Sequence, residues 1–139
     1  MGRRLSKAYL LTKVLTASRQ EVVVYLYEGA IGFLHRATEA IGADDREQMG
    51  LMLDRAINIL IELSGGLNYT GGEKKIAMRL DAIYNYLIET LTHARANADQ
   101  EAIEACASVL VVLHDAWQQA VQLTRGTEQQ PALRLQISA

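Results

Sequence analysis

Apolar residues recur at three- and four-residue steps in four separate stretches of this chain, divided by polar or glycine-containing breaks. In the first stretch Val22, Val23, Leu26, Tyr27, Ala30, Phe33, Leu34, Ala37 and Ile41 fall on one broad helical face. Ser18 precedes Glu21 by three residues, the spacing at which a hydroxyl accepts from the Glu21 amide while the carboxylate reaches back to the Ser18 amide. A helix is therefore expected from about Arg19 to Ile41. Gly29 and Gly32 lie inside it, each at a cost of about 1 kcal/mol against alanine. They imply either a close approach to this backbone or two tolerated surface glycines.

Gly42-Ala43-Asp44-Asp45 ends the first helix, and Asp45 with Gln48 caps a second. That helix carries Met49, Met52, Leu53, Ala56, Ile59, Leu60, Leu63 and Leu67 inward, with Ile57 and Ile61 to the side. Ser64-Gly65-Gly66 and Thr70-Gly71-Gly72 then read as linker around Asn68 and Tyr69. A third helix, from about Glu73 to Ala98, points Ile76, Leu80, Ile83, Leu87, Leu91 and Ala94 inward and leaves Tyr84, Tyr86 and Ile88 on its flanks. Asn97-Ala98-Asp99 caps a fourth, which reaches about Leu123 and buries Ile103, Cys106, Leu110, Leu113, Trp117 and Val121. Val109, Val111 and Val112 widen its stripe beyond one face.

Ahead of these helices, residues 1–17 hold Leu5, Tyr9, Leu10, Val14 and Leu15 at the spacing of a short amphipathic helix or an extended arm, too short to be stable alone. Behind them, residues 124–139 hold Gly126, Pro131 and several glutamines and read as a mobile tail. The expected architecture is all-α: an antiparallel four-helix bundle over residues 18–123, with crossing angles of about 20°, preceded by the arm and followed by the tail. A fragment of a helical repeat is the structural alternative.

Composition narrows the function more than the fold. A chain of 139 residues is one domain by size and buries enough surface to fold without metal or disulfide. The single cysteine excludes an intrachain disulfide and fits a reducing compartment. Net charge is −2, without the basic excess that a phosphate backbone demands, so nucleic acid is not an expected partner. No apolar run is long enough to cross a bilayer, which leaves membrane insertion out. Met1-Gly2 with Ser6, and Arg3-Arg4, mimic lipidation and export signals. Thr12-Lys13 interrupts the apolar run that an export signal needs.

Residues with catalytic chemistry do not assemble into a motif. The positions three before His35, His93 and His114 are Gly32, Thr90 and Val111, so the Glu-x-x-His pairs of di-iron bundles are missing. One cysteine cannot make a haem-attachment motif, and no Gly-x-Ser-x-Gly marks a nucleophile. Neither a catalytic residue, a cofactor nor a metal is expected. What remains is apolar surplus beyond the core faces: Val24, Ile31, Ile57, Ile61, Tyr84, Tyr86, Ile88, Val111 and Val112. As a set they point to grooves that take a partner's helix or extended segment.

Tyr9, then Val14-Leu15-Thr16-Ala17-Ser18, then Leu26-Tyr27-Glu28-Gly29-Ala30 carry a family resemblance. In order and spacing they resemble the flagellar secretion chaperone family (FliS), with its tyrosine, its V-x-T-A-S-P-like turn and its L-Y-D-G-A-like segment. Arg19 stands where that family usually has proline and Glu28 where it usually has aspartate; the cap and the charge survive both changes. The likeness extends over about residues 8–123.

It implies a cytoplasmic, non-enzymatic export chaperone. Such a protein binds the disordered C-terminal segment of flagellin, prevents premature polymerisation and delivers the subunit to the flagellar export gate. It implies contacts with an export-gate component and with other flagellar proteins as well. The candidate flagellin-binding residues are Leu5, Tyr9, Leu10, Val14, Tyr27, Ile57, Ile61, Tyr84, Tyr86, Ile88, Val111 and Val112, with Tyr9 matching the tyrosine that the family links to client binding. Two alternatives stand beside this one. The same apolar flanks can pair with a second copy, giving a homodimer when free or a homo-oligomeric structural adaptor. A metal-binding bundle enzyme is the other.

Overall fold

The structure, a computed structural model, describes residues 19–128. Four α-helices follow in order: α1 (Arg19–Gly42), α2 (Arg46–Gly65), α3 (Lys74–Asn97) and α4 (Gln100–Glu128), with a 3-10 turn at Gly71–Glu73 leading into α3. Each helix packs on two neighbours. α1 lies against α2 and α4, and α3 closes the ring against the same two, so α1 and α3 face each other across the diagonal. The α1–α2 seam is the most extensive and the α3–α4 seam the thinnest.

Local chemistry accounts for the helix ends. Asp45 caps α2 as expected, its carboxylate accepting from the Gln48 amide at 3.0 Å. Asp99 does the same for the Ala102 amide at 3.2 Å at the start of α4. Between α2 and α3 the chain is a built turn and more than a linker. Asn68 Oδ1 accepts from both the amide and the hydroxyl of Thr70, and its Nδ2 donates to Glu73 at 3.0 Å. Gly71, at φ +64°, supplies the left-handed residue that starts the 3-10 turn. The expected Ser18 cap lies outside the described residues, as does the arm. α4 continues past Leu123 to Glu128, so residues 124–128 are helical backbone where a mobile tail was expected.

The core is aliphatic. Leu34, Leu53, Leu60, Leu87, Leu91, Ile103 and Leu110 are all fully buried, each contributing about 1.5–3 kcal/mol of apolar transfer. Half of the buried residues of α1 are small, Ala30, Ala37 and Ala40, which lets its neighbours approach closely. Gly29 is where that closeness reaches the backbone: a Cβ there would sit 3.3 Å from Ile59 Cδ1. Around Gly32 no atom lies within 4 Å, so only the first glycine has a packing reason.

Three positions differ from the periodicity reading. Val24, placed off the core, is buried; Tyr84, placed on a flank, is buried; and Ile76, placed inward, is exposed. On α3 the buried residues are Ala77, Leu80, Tyr84, Leu87, Leu91 and Ala94. Both Ile76-Leu80-Ile83 and Ala77-Leu80-Tyr84 are helical stripes. The second wins because the Tyr84 hydroxyl finds a partner inside the bundle. On α1, Val24 and Tyr27 share the face of Leu34, turning the inward stripe slightly from the one expected. Ile31, Ile57 and Ile88, read as surplus, are partly buried and pack against the core.

Ala98 closes α3 in the left-handed region, at φ 50° and ψ 49°. A side chain there costs about 1 kcal/mol or more relative to glycine. Ala98→Gly is expected to stabilise the bundle by about 0.5–1 kcal/mol, the loss of a partly buried methyl offsetting some of the gain. Urea unfolding of the two proteins checks this.

Candidate functional site

The segment Leu26-Tyr27-Glu28-Gly29-Ala30 touches every other helix. Tyr27 points across the diagonal, and its hydroxyl hydrogen-bonds that of Tyr84 on α3 inside the core. Their ring centroids are 6.4 Å apart, with the planes tilted by 49°. Trp117 on α4 lies beside the Tyr27 hydroxyl. Burial pushes both phenols above their ordinary pKa. For Tyr27 the bond from Tyr84 and the neighbouring Trp117 pull the other way and do not overcome it, and for Tyr84 the bond to Tyr27 adds to the rise. Both stay protonated at neutral pH and serve as structural hydrogen-bonding groups.

Glu28, next in the chain, faces α4. Its carboxylate lies 3.0 Å from His114 Nε2, while His114 Nδ1 lies 3.0 Å from Asp115. Burial lowers the imidazole's affinity for a proton, but the two carboxylates on opposite ring nitrogens outweigh it and leave the pKa raised. Because the acids sit on opposite sides of the ring they do not converge on a common point. Among the described residues, no group of three His, Cys, Asp or Glu side chains is placed to hold a metal ion.

Leu26 lines a cleft at one end of the bundle. Val22 and Val23 join it from α1, Leu63 and Leu67 from α2 and the turn beyond it, Ile76 and Leu80 from α3, and Trp117 from α4; Tyr84 also contributes to the lining. The volume is about 480 Å³. Its rim is polar, with Glu62, Asn68, Glu73 and Arg19, whose guanidinium donates to the Gly66 carbonyl at 2.9 Å. A second recess of about 420 Å³ opens between α1 and α4, lined by Leu34, Ile103, Ala107 and Val111 under a rim of His35, Thr38, Glu104 and Ser108.

Outside these hollows the apolar surplus is concentrated on α3 and α4. Tyr86 is 67% exposed, Val112 68% and Leu123 74%, with Met78 and Val109 also open to solvent. Along α4, Ala105, Val109, Val112 and Ala116 follow at steps of four, three and four, and Leu123 continues that face one heptad beyond Ala116. The thinnest seam of the bundle thus borders its most apolar outer surface.

The candidate contact residues divide accordingly. Tyr86, Ile61, Val111 and Val112 are exposed, and Ile57 and Ile88 are partly covered. Tyr27 and Tyr84 are buried in the core, and of the two Tyr84 meets the end cleft, as part of its wall. Leu5, Tyr9, Leu10 and Val14 lie outside the described residues. The end cleft was not anticipated as a unit. Its walls come from three helix ends and the middle of α4, and periodicity within one helix carries no signal of which ends meet.

A family model described as "Flagellar protein FliS" matches residues 1–124. The chain is similar to the flagellar secretion chaperone FliS of Bacillus subtilis, 31% identical over 118 residues covering 85% of this chain and 86% of that protein. It is 35% identical to the Salmonella typhimurium protein of the same name over 108 residues, 76% of this chain and 78% of that one. The Campylobacter jejuni protein of that name is 33% identical over 113 residues, 81% of this chain and 87% of its own length.

Two measurements check the geometry of the site. Tyr84→Phe leaves Tyr27 without its partner and is expected to cost about 1–3 kcal/mol. Tyr27→Phe strands the Tyr84 hydroxyl at a similar cost, and the double variant costs less than the two single losses together because the pair is coupled. Denaturant unfolding of all four proteins gives the cycle. For His114, a raised folded-state pKa means its contribution is complete below the ordinary value of 6.5 and is lost as pH rises through the folded value. His114→Gln is therefore expected to remove stability at pH 5.5–6 and to flatten the decline toward pH 8 that wild type shows.

Proposed function

The chain belongs to the flagellar protein FliS family, and from that membership and its open apolar surface we propose that it is a cytoplasmic, non-enzymatic export chaperone for flagellin. It binds the disordered C-terminal segment of the unassembled subunit, keeps it from polymerising and delivers it to the flagellar export apparatus, contacting an export-gate component there. The observation that carries this reading is the apolar outer surface of α3 and α4, continuous in character with the cleft at the bundle end.

A disordered amphipathic segment can wrap such a surface because it has no fold of its own to give up. Burying on the order of 1,000 Å² of apolar area releases about 25 kcal/mol gross at roughly 25 cal/mol per Å². Ordering the segment and immobilising it cancel most of that. The net is tight and still reversible, as a carrier requires. Tyr86, Val112, Val111 and Ile61 supply contacts on the bundle, with Ile57 and Ile88 at their edges. Leu5, Tyr9, Leu10 and Val14 take part from the segment that enters α1 at Arg19, on the rim of the cleft.

Trp117 is the chain's one tryptophan and lines that cleft, so its emission reports on occupancy. Titration with a flagellin C-terminal peptide is expected to shift the emission saturably at one peptide per chain. Val112→Asp places a charge in the contact and weakens binding by about tenfold or more, while Leu51→Asp, on α2, leaves it unchanged. Deleting residues 1–14 is expected to weaken binding as well; unchanged affinity would remove the arm from the mechanism. A chain that ignores the peptide, or one that remains a homo-oligomer in its presence by light scattering, would favour the structural-adaptor reading.

A further inference from the structure

On the edge of the ring opposite the α3–α4 surface, two cations converge on one aromatic ring. Phe33 of α1 is partly buried. Arg36, one turn along the same helix, holds its Cζ 5.8 Å from the ring centroid, and Arg55 of α2 holds its own at 5.7 Å. Each contact is attractive through the ring quadrupole, and together they place two like charges around one ring on an exposed seam. Neither guanidinium has a carboxylate partner among the described residues. The ion pairs there join Arg95 to Asp54 and His114 to Glu28 and Asp115.

The nearest acid along α2 is held elsewhere by geometry. Asp54 receives both terminal nitrogens of Arg95 from α3, at 2.5 and 3.0 Å. Arg95 reaches it over Gly50, where a Cβ would stand 2.8 Å from the guanidinium. Glu39, one turn beyond Arg36, makes no ion pair to it. Beside the two cations are Gly32, whose backbone has open space on its Cβ side, and Leu51, which is 44% exposed one turn from Arg55.

We propose that the α1–α2 seam centred on Phe33 is a second docking surface, built for an acidic amphipathic segment of a partner protein. Carboxylates one helical turn apart accept from Arg36 and Arg55, and an apolar side chain between them rests over Gly32 and Leu51. The unneutralised charge pair selects an anionic occupant. Two cations on a chain of net charge −2 are too few to hold a nucleic-acid backbone or an anionic membrane, and the exposed leucine favours an occupant with side chains over a free phosphate. This seam and the α3–α4 surface lie on opposite edges of the ring, so both can be filled at once.

The test uses isotope-labelled full-length protein followed by amide NMR, with the acetylated peptide Glu-Leu-Glu-Glu-Leu-Leu-Glu-Glu as probe. The controls are its all-lysine counterpart and inorganic phosphate. Saturable shifts confined to residues 29–36 and 51–59, reduced in about 0.5 M salt, are expected from the acidic peptide alone. Arg36→Gln/Arg55→Gln, which keeps the helix and much of each stem, should weaken the acidic peptide by about tenfold with an unchanged helix content by circular dichroism. Arg36→Glu/Arg55→Glu should transfer the preference to the lysine peptide. Equal affinity in the Gln variant, shifts elsewhere on the bundle, or phosphate matching the peptide would each overturn the proposal. None of these readouts depends on flagellin binding.

Discussion

The hydrogen bond between Tyr27 and Tyr84 is the constraint on which the bundle's arrangement depends. A four-membered ring of helices has no side-by-side packing along its diagonal, and α1 and α3 meet only through side chains that reach across the core. Two phenols supply that reach with little flexibility, and their hydroxyls meet in the middle. Aliphatic side chains of the right volume would fill the same space without specifying a register, whereas a buried hydroxyl is costly wherever it is not paired. The pair thus sets which face of α3 turns inward, and with it which face turns out.

That outward face is where function is argued to lie. With Tyr84 inside, Ile76 rotates to the solvent side and becomes part of the end cleft, and Tyr86 stands free on the outer surface. Tyr84 links the two levels. Its hydroxyl bonds that of Tyr27, while its side chain also forms part of the cleft wall. The interior hydrogen bonds and the cleft wall are therefore parts of one assembly, and a change in the cleft has a direct route to the core network.

How far the chain could be read beforehand follows from the range of each interaction. Asp45 with Gln48, and Asp99 with Ala102, are contacts within three residues, and the helix starts they mark were legible. The central stripes of α2 and α4 were legible for the same reason, since periodicity is local. The register at the start of α3 was not. Ile83 and Tyr84 are adjacent and both apolar enough to bury; only a hydroxyl partner 57 residues away decides between them. Gly29 was flagged by its cost in a helix, and Ile59 supplies the reason, while Gly32 carries the same flag with open space around it. The end cleft depends on which termini meet, a property of the assembled ring alone.

The same distinction separates what identifies the family from what would meet a client. Within Leu26 to Ala30, Tyr27 bonds α3, Glu28 pairs with α4, Gly29 admits α2 and Ala30 is sealed in the core. A segment whose every residue answers to a different neighbour tolerates few replacements, which makes it recognisable as a pattern. The outer valines and the tyrosine of α3 and α4 are exposed among the described residues. They are held only to being apolar and on the right face, so they form no motif, and substitutions there can retune a partner's fit at little expense in stability. The interior is thus legible as a motif because its residues constrain one another, and the outer surface is legible only as apolar excess because among the described residues nothing packs over it.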